Sequence, residues 1–167
     1  MNLITYPNDI LKRSMPEFDF SSNINPEHLE QDMIELMQKS RGIGLSANQV
    51  GIEARVFVMQ PQKLDDRRPF ALFNPILLEA DDEETLDEEG CLSFPELFLY
   101  VKRPKKIKVQ YVDKHQNICI IELIDIDARC FLHELDHLNG VCFTEKISQM
   151  KLALAIKKQR KKNGRTK

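Results

Sequence analysis

The residues with the clearest chemical potential are His133, Glu134 and His137, which stand in the order H-E-x-x-H within the stretch Phe131 to Gly140. A helix turns once in about 3.6 residues, so histidines four apart project from one face and can hold a single divalent cation between them. Glu134 follows the first histidine directly and can reach a water on that cation. The plain alternative is a helix with two polar surface histidines, and the framing of the stretch counts against it. Asp125 or Asp127 is placed to cap the helix start, and Ala128, Phe131, Leu132 and Leu135 supply apolar surface. Gly140 is a natural stop just past the last turn.

A catalytic site of this kind needs a third protein ligand and one position left for water. The longer pattern H-E-x-x-H-x-x-G-x-x-H agrees as far as Gly140 and then meets Phe143 where the third histidine should stand. A downstream glutamate has only Glu145 to offer, too close for a separate second helix. Upstream, Cys91, Cys119, Cys130 and Cys142 all remain open on spacing. Cys91 is modestly favoured because Gly90 frees the backbone beside it, whereas Cys119 lies in an apolar run and Cys130 falls one turn before His133.

The elements that must position these residues follow from pattern. At 167 residues the chain is expected to form one domain with a proper core. Its 42% hydrophobic and 30% charged residues describe an ordinary soluble protein. The net charge of -2 hides a segregation, since Glu79 to Glu89 carries eight acids while Met150 to Lys167 carries eight bases and no acid. The start of the chain lacks a secretory pattern, and no run of about twenty apolar residues occurs, so the reading is cytoplasmic, with the four cysteines reduced.

Pro7 to Arg13 reads as a turn into a short helix with Ile10 and Leu11 inward. Asn25-Pro26-Glu27 reads as N-cap, first-turn proline and first-turn acid of a scaffold helix bearing Leu29, Met33, Ile34, Leu36 and Met37. Gly42 to Gly51 is a tight loop, too short of glycines for a nucleotide site. Arg55 to Gln60 and Arg68 to Asn74 read as strands, the second limited by Pro75. The acidic run is read as a solvated loop or strand edge. Leu97 to Val101, Lys106 to Val112 and Ile118 to Ile124 read as strands, the last two forming a hairpin whose turn contains His115. Leu152 to Ile156 begins a final amphipathic helix that frays into the basic end.

Three segments occur together and in order: Gly42-Ile43-Gly44-Leu45-Ser46-Ala47-Asn48-Gln49, Glu89-Gly90-Cys91-Leu92-Ser93, and His133-Glu134-Leu135-Asp136-His137-Leu138-Asn139-Gly140. With the Pro7 to Arg13 region and Asn74-Pro75, the chain resembles the peptide deformylases over nearly its whole length. It departs from their usual pattern at Ser46, where alanine is common, at Leu132, where glutamine is common, and at Phe98, where arginine is often found. Arg103 keeps a second commonly basic position. These departures touch no ligand and bear on subfamily and substrate side-chain preference.

The resemblance implies that Cys91, His133 and His137 bind one divalent metal, Fe2+ first and Zn2+, Ni2+ or Co2+ as alternatives. It implies Glu134 as the general base, with the Gln49 amide and the Leu92 backbone N–H donating to the formyl oxygen of an N-formylmethionyl nascent peptide. Backbone at Ile43, Gly44 and Gly90 would pair with that peptide, and its methionine would enter a pocket walled by Ile43, Leu92, Cys130 and Phe131. The fold class implied is α+β, with antiparallel sheets around the central H-E-x-x-H helix. Residues 1–148 are expected to form the catalytic domain and 149–167 a basic helix or tail. That tail is either a solvated helix or a ribosome contact through RNA phosphates; lacking aromatics, it is not expected to read nucleic-acid sequence, and no membrane contact is expected. The rival readings are a metal-dependent peptidase and a non-catalytic ribosome-binding protein stapled by metal. Consumption of formyl-Met-Ala rather than an unformylated peptide separates the first, and a water position left open beside Glu134 separates the second.

Overall fold

The structure, a computed structural model, describes residues 1–163. After a 3-10 turn at Asp9–Lys12, which buries Ile10 and Leu11, the chain enters helix α1, Pro26–Lys39. Asn25 caps α1 by accepting the His28 N–H, and Leu29, Met33 and Met37 form its buried stripe, as the spacing predicts. Seven strands follow: β1 Gly44–Ser46, β2 Val56–Met59, β3 Phe70–Ala80, β4 Glu84–Cys91, β5 Phe94–Pro104, β6 Lys106–Val112 and β7 Ile118–Ile124. Helix α2, Asp125–Leu138, carries the histidines, and α3, Gln149–Asn163, ends the described chain. The last four residues of the basic end lie outside the described residues.

All strand pairs are antiparallel. One sheet has the order β1-β2-β3-β6-β7, and β4 and β5 form a separate two-stranded sheet. Helix α2 packs against β1, β2, β6 and β7 on one side and β5 on the other, so it lies between the two sheets. This is an α+β architecture around a central helix, as expected. Helix α1 covers β1 to β3 from the other face, where Phe73, Val56, Val58 and Leu45 meet its apolar stripe. Nearly every residue of α2 from Asp127 to Leu138 is buried, charged ones included. Phe131 on this helix meets Phe57 of β2 edge-on at 5.3 Å. Fully burying such a side chain contributes about 1.5–3 kcal/mol. A buried unpaired charge costs at least as much, so the charges on α2 must find partners for the helix to lie where it does.

Three local expectations are corrected. Pro75 does not end its strand: β3 continues to Ala80 through register shifts on either side of Ile76 and Leu77. Pairing with β2 stops at Phe73, so the missing Pro75 N–H breaks no bond on that side. Asn74 takes φ 48° there, and its side chain holds both the N–H and the carbonyl of Phe18. Next, neither Asp125 nor Asp127 caps α2 with its side chain. Ile124 holds the cap position, and the Asp127 carboxylate instead accepts the N–H groups of Gln62 and Lys63 at 2.7 and 2.8 Å. Finally, the acidic run is not a uniformly solvated edge. From Glu84 it forms β4, and while Asp87 and Glu88 stay out, Glu89 is buried to 5% exposure where Arg103, Arg129 and His133 meet its carboxylate.

Gly140 stops α2 as expected, at φ 73°, and a Cβ there would stand 2.7 Å from the Lys12 carbonyl. The helix end is thereby docked on the N-terminal segment, where Met15 N–H also bonds the Leu138 carbonyl. His115 sits exposed in the β6–β7 turn, as the hairpin reading requires.

Candidate active site

His133 and His137 lie one turn apart on α2, with ring centroids 5.0 Å apart. Cys91 ends β4, where the hairpin tightens so that Cys91 pairs with Phe94 after a register shift at Gly90. This brings its sulfur 3.1 Å from His137 Nε2. The ligand atoms of Cys91, His133 and His137 all lie within 4.8 Å of one another. The other cysteines point elsewhere: Cys142 Sγ meets the Leu11 carbonyl, Cys130 Sγ the Ile43 carbonyl, and Cys119 Sγ the Asn117 carbonyl. Phe143, in the place of the longer motif's third histidine, packs its ring against His133 at 5.6 Å.

The electrostatics suit a cation. Burial works against a charged His133, yet Cys91 and Glu89, both hydrogen-bonded to the ring, raise its pKa to about 10. Positive charge is thus favoured at this point. His137 goes the other way: burial first, then the charges of His133 and Arg103, push it well below 6.5, leaving the neutral imidazole that ligates metals. A sulfur and two imidazoles form a donor set that suits a divalent transition metal, and three ligands leave a position for water.

Glu89 orients this set. Its Oε2 stands 3.0 Å from His133 Nδ1, which directs the other ring nitrogen toward the cluster. It also accepts from Arg103 Nε and Nη2 at 2.9 and 3.0 Å and from Arg129 Nη1 at 2.7 Å. Arg103 continues to Asp136 at 2.5 Å, and Asp136 to Lys146 at 2.9 Å. Burial raises the pKa of Glu89, but the hydrogen bonds and charges of His133 and Arg103 outweigh it and hold the group at about 2. Sequence reading missed Glu89 and Arg129. The available signal was an arginine four residues before His133, on the helix that must be central if it carries the site, where a buried guanidinium needs an anion. Glu89→Gln is expected to cost about 3–5 kcal/mol by leaving two guanidiniums undercompensated. It should also weaken metal retention by about 10–100-fold, measured by thermal melting and metal titration.

A cavity of about 450 Å³ opens onto the cluster. Ile43, Gly44, Gly90, Leu92 and Cys130 line it. Phe131 does not: it is fully buried in the core against Phe57. The helical period explains the correction, because Ile126, Cys130, His133 and Glu134 share the face toward the cleft while Phe131 lies about 100° round from Cys130. Ile126 and Leu97 also line the cavity. Of the three departures, Leu132 faces the core, Phe98 stands 57% exposed at the cleft rim, and Ser46 is fully buried against Glu134.

Glu134 lies in the wall of the cleft. Burial raises its pKa above 4.5, against the charge of His133 and the Ser46 hydrogen bond. A Cβ on Gly44 would come 2.5 Å from Glu134 Oε1, so the strand can approach the carboxylate only as glycine. Gln49 is buried in the turn after β1. Its Oε1 accepts the Ser46 N–H at 2.9 Å, which aims its amide Nε2 toward Ser93 Oγ at 3.0 Å and Cys91 Sγ at 3.5 Å.

The sequence profile of the polypeptide deformylases matches residues 1–153. The chain belongs to the peptide deformylase family. It is 44% identical to the Thermotoga maritima peptide deformylase over 147 residues, covering 88% of this chain and 86% of that one. It is 35% identical to the Bartonella henselae peptide deformylase over 161 residues, covering 96% and 91%. The crystal structure of the Ehrlichia chaffeensis peptide deformylase superposes with a TM-score of 0.85 at 35% identity, covering 99% of this chain and 98% of that one. That of Arabidopsis thaliana peptide deformylase 1B gives 0.86 at 31% identity, covering 99% and 92%. As a peptide deformylase, the chain is a hydrolase acting on the N-formyl amide of newly synthesised polypeptides. No helix among the described residues is long and apolar enough to cross a membrane.

Proposed function

We propose that Cys91, His133 and His137 hold one divalent metal ion, Fe2+ first and Zn2+, Ni2+ or Co2+ as alternatives, and that deformylation depends on it. The single observation that carries the reading is the convergence of one sulfur and two imidazoles within 4.8 Å beside a buried carboxylate on the cleft. The preference for iron rests on the family alone, since the donor set suits zinc equally. When bound, such an ion lowers the pKa of a water molecule and polarises the formyl carbonyl.

The rest is done by the chain's own groups. Glu134 takes the proton of the attacking water and returns it to the departing amine, giving formate and a free N-terminus. The Gln49 amide and the Leu92 backbone N–H donate to the formyl oxygen as negative charge builds there, each worth about 3 kcal/mol. Ile43, Gly44 and Gly90 pair through their backbone with an extended substrate, so that sequence beyond the first residue is read loosely. The methionine side chain enters the cavity between Ile43, Leu92 and Cys130. Anaerobic purification, metal analysis and formate release from formyl-Met-Ala test the whole; metal-loaded protein that releases no formate overturns it.

Residues 1–148 form the catalytic unit in this reading, and 149–167 a basic segment that contacts ribosomal RNA phosphates, in the cytoplasm. Lys151, Lys157, Lys158, Arg160 and Lys161 of α3 are exposed. Leu152, Ala155 and Ile156 pack on the core, and Gln159 donates to the Pro95 carbonyl, so deleting the segment would also uncover β5. Alanine at Lys157, Lys158, Arg160 and Lys161 is the cleaner test. Cosedimentation with ribosomes should fall and its salt dependence flatten while formate release is kept; unchanged cosedimentation discards the contact.

A further inference from the structure

Ser46 and Gly44 point from β1 toward the same carboxylate. Ser46 is fully buried and Glu134 4% exposed, and the Ser46 hydroxyl donates to Glu134 Oε2 at 2.5 Å. The Glu134 backbone carbonyl lies farther from that hydroxyl, at 3.2 Å, so the single proton goes to the shorter, charge-assisted bond. The serine itself is rigidly placed. Its backbone is in the β1–β2 ladder opposite Phe57, and its N–H is engaged by Gln49 Oε1. On the other side of the carboxylate, the bare backbone of Gly44 closes against Oε1. One position on the strand therefore holds an oxygen by a hydrogen bond, and its same-face neighbour leaves room for the other.

We propose that the Ser46 hydroxyl is a positioning residue for deformylation: resting on Glu134 as the base, it ties Oε2 and leaves Oε1, the oxygen beside the cleft-lining Gly44, as the one that moves the proton. A carboxylate turns easily about its last torsion, where the rotamer wells are broad, and a free one offers either oxygen in many planes. Fixing the plane on a strand removes that freedom before substrate arrives. Leu45, between the two, faces the opposite core with Met33 and Met37, so the strand cannot roll without opening that core.

The test is a pair of double-mutant cycles. Ser46→Ala should lower kcat for formyl-Met-Ala about tenfold, leaving KM within about twofold and metal content unchanged. In a Glu134→Gln background, which has no base to position, Ser46→Ala should cause no further loss. Independently of turnover, Ser46→Ala should lower the Tm of chelator-treated protein by about 3 °C, and that shift should vanish in Glu134→Ala. An unchanged kcat in Ser46→Ala, or the same fold-loss in both backgrounds, overturns the assignment. Failure of the unsubstituted protein to release formate would instead sink the underlying reading, with the Tm cycle still reporting the hydrogen bond.

Discussion

Glu134→Gln will lower kcat for formyl-Met-Ala by about a thousandfold or more while metal content stays at the level of the unsubstituted protein. Glutamine keeps the length and shape of the side chain, and its carbonyl oxygen can still accept from Ser46 at the place of Oε2. What it lacks is an oxygen basic enough to take a proton. The fold should not suffer, because burial already works against the charged form of Glu134, as its raised pKa shows, and the amide carries no charge to desolvate. A melting curve no lower than that of the starting protein, together with elemental analysis and steady-state kinetics, checks the three parts. Near-normal turnover would remove Glu134 as the base.

Cys91→Ser will cut metal retention after desalting to about a tenth or less, and formate release will fall with it. A serine hydroxyl does not ionise at neutral pH and offers a hard, weak donor in place of sulfur. The two histidines alone then hold the ion, at a site where Glu89 still fixes the ring of His133. Cys91 sits at the tightened end of the β4–β5 hairpin and is only partly buried, so the loss of sulfur volume should leave the fold intact. Excess metal in the assay should restore part of the rate. Undiminished metal by elemental analysis would strike Cys91 from the ligand set. The contrast between the two variants matters: one keeps the ion and loses proton transfer, the other loses the ion.

Much of the scaffold was legible. Asn25-Pro26-Glu27 announced α1, the alternation from Lys106 to Ile124 announced the β6–β7 hairpin, and Gly140 announced the end of α2. These are local signals, fixed by caps, periods and the conformational freedom of single residues. The misreadings had a common cause. Asp127 looked like a cap because an acid at a helix start usually is one, but it is used 64 and 65 residues away on the N–H groups of Lys63 and Gln62. Pro75 looked like a strand end because its neighbours in space were unknown. Phe131 was placed in the pocket wall along with the resemblance, although the helical period puts Ile126 on the face of Cys130 and His133.

By itself the sequence determined the face of one helix that carries two imidazoles and a carboxylate, since a repeat of about 3.6 residues leaves no other way for His133 and His137 to lie. It did not determine the third ligand by spacing; the ordered motifs of a family pointed to Cys91, and the hairpin fold brings its sulfur to 3.1 Å from a residue 46 positions on. Only the tertiary structure decided that Glu89 is drawn out of an acidic run and buried among Arg103, Arg129 and His133, which lie 14, 40 and 44 residues away. The physical reason is desolvation. A charge can be taken out of water only where partners from other elements arrive together, and that arrival is a property of the packed chain, written in no local repeat.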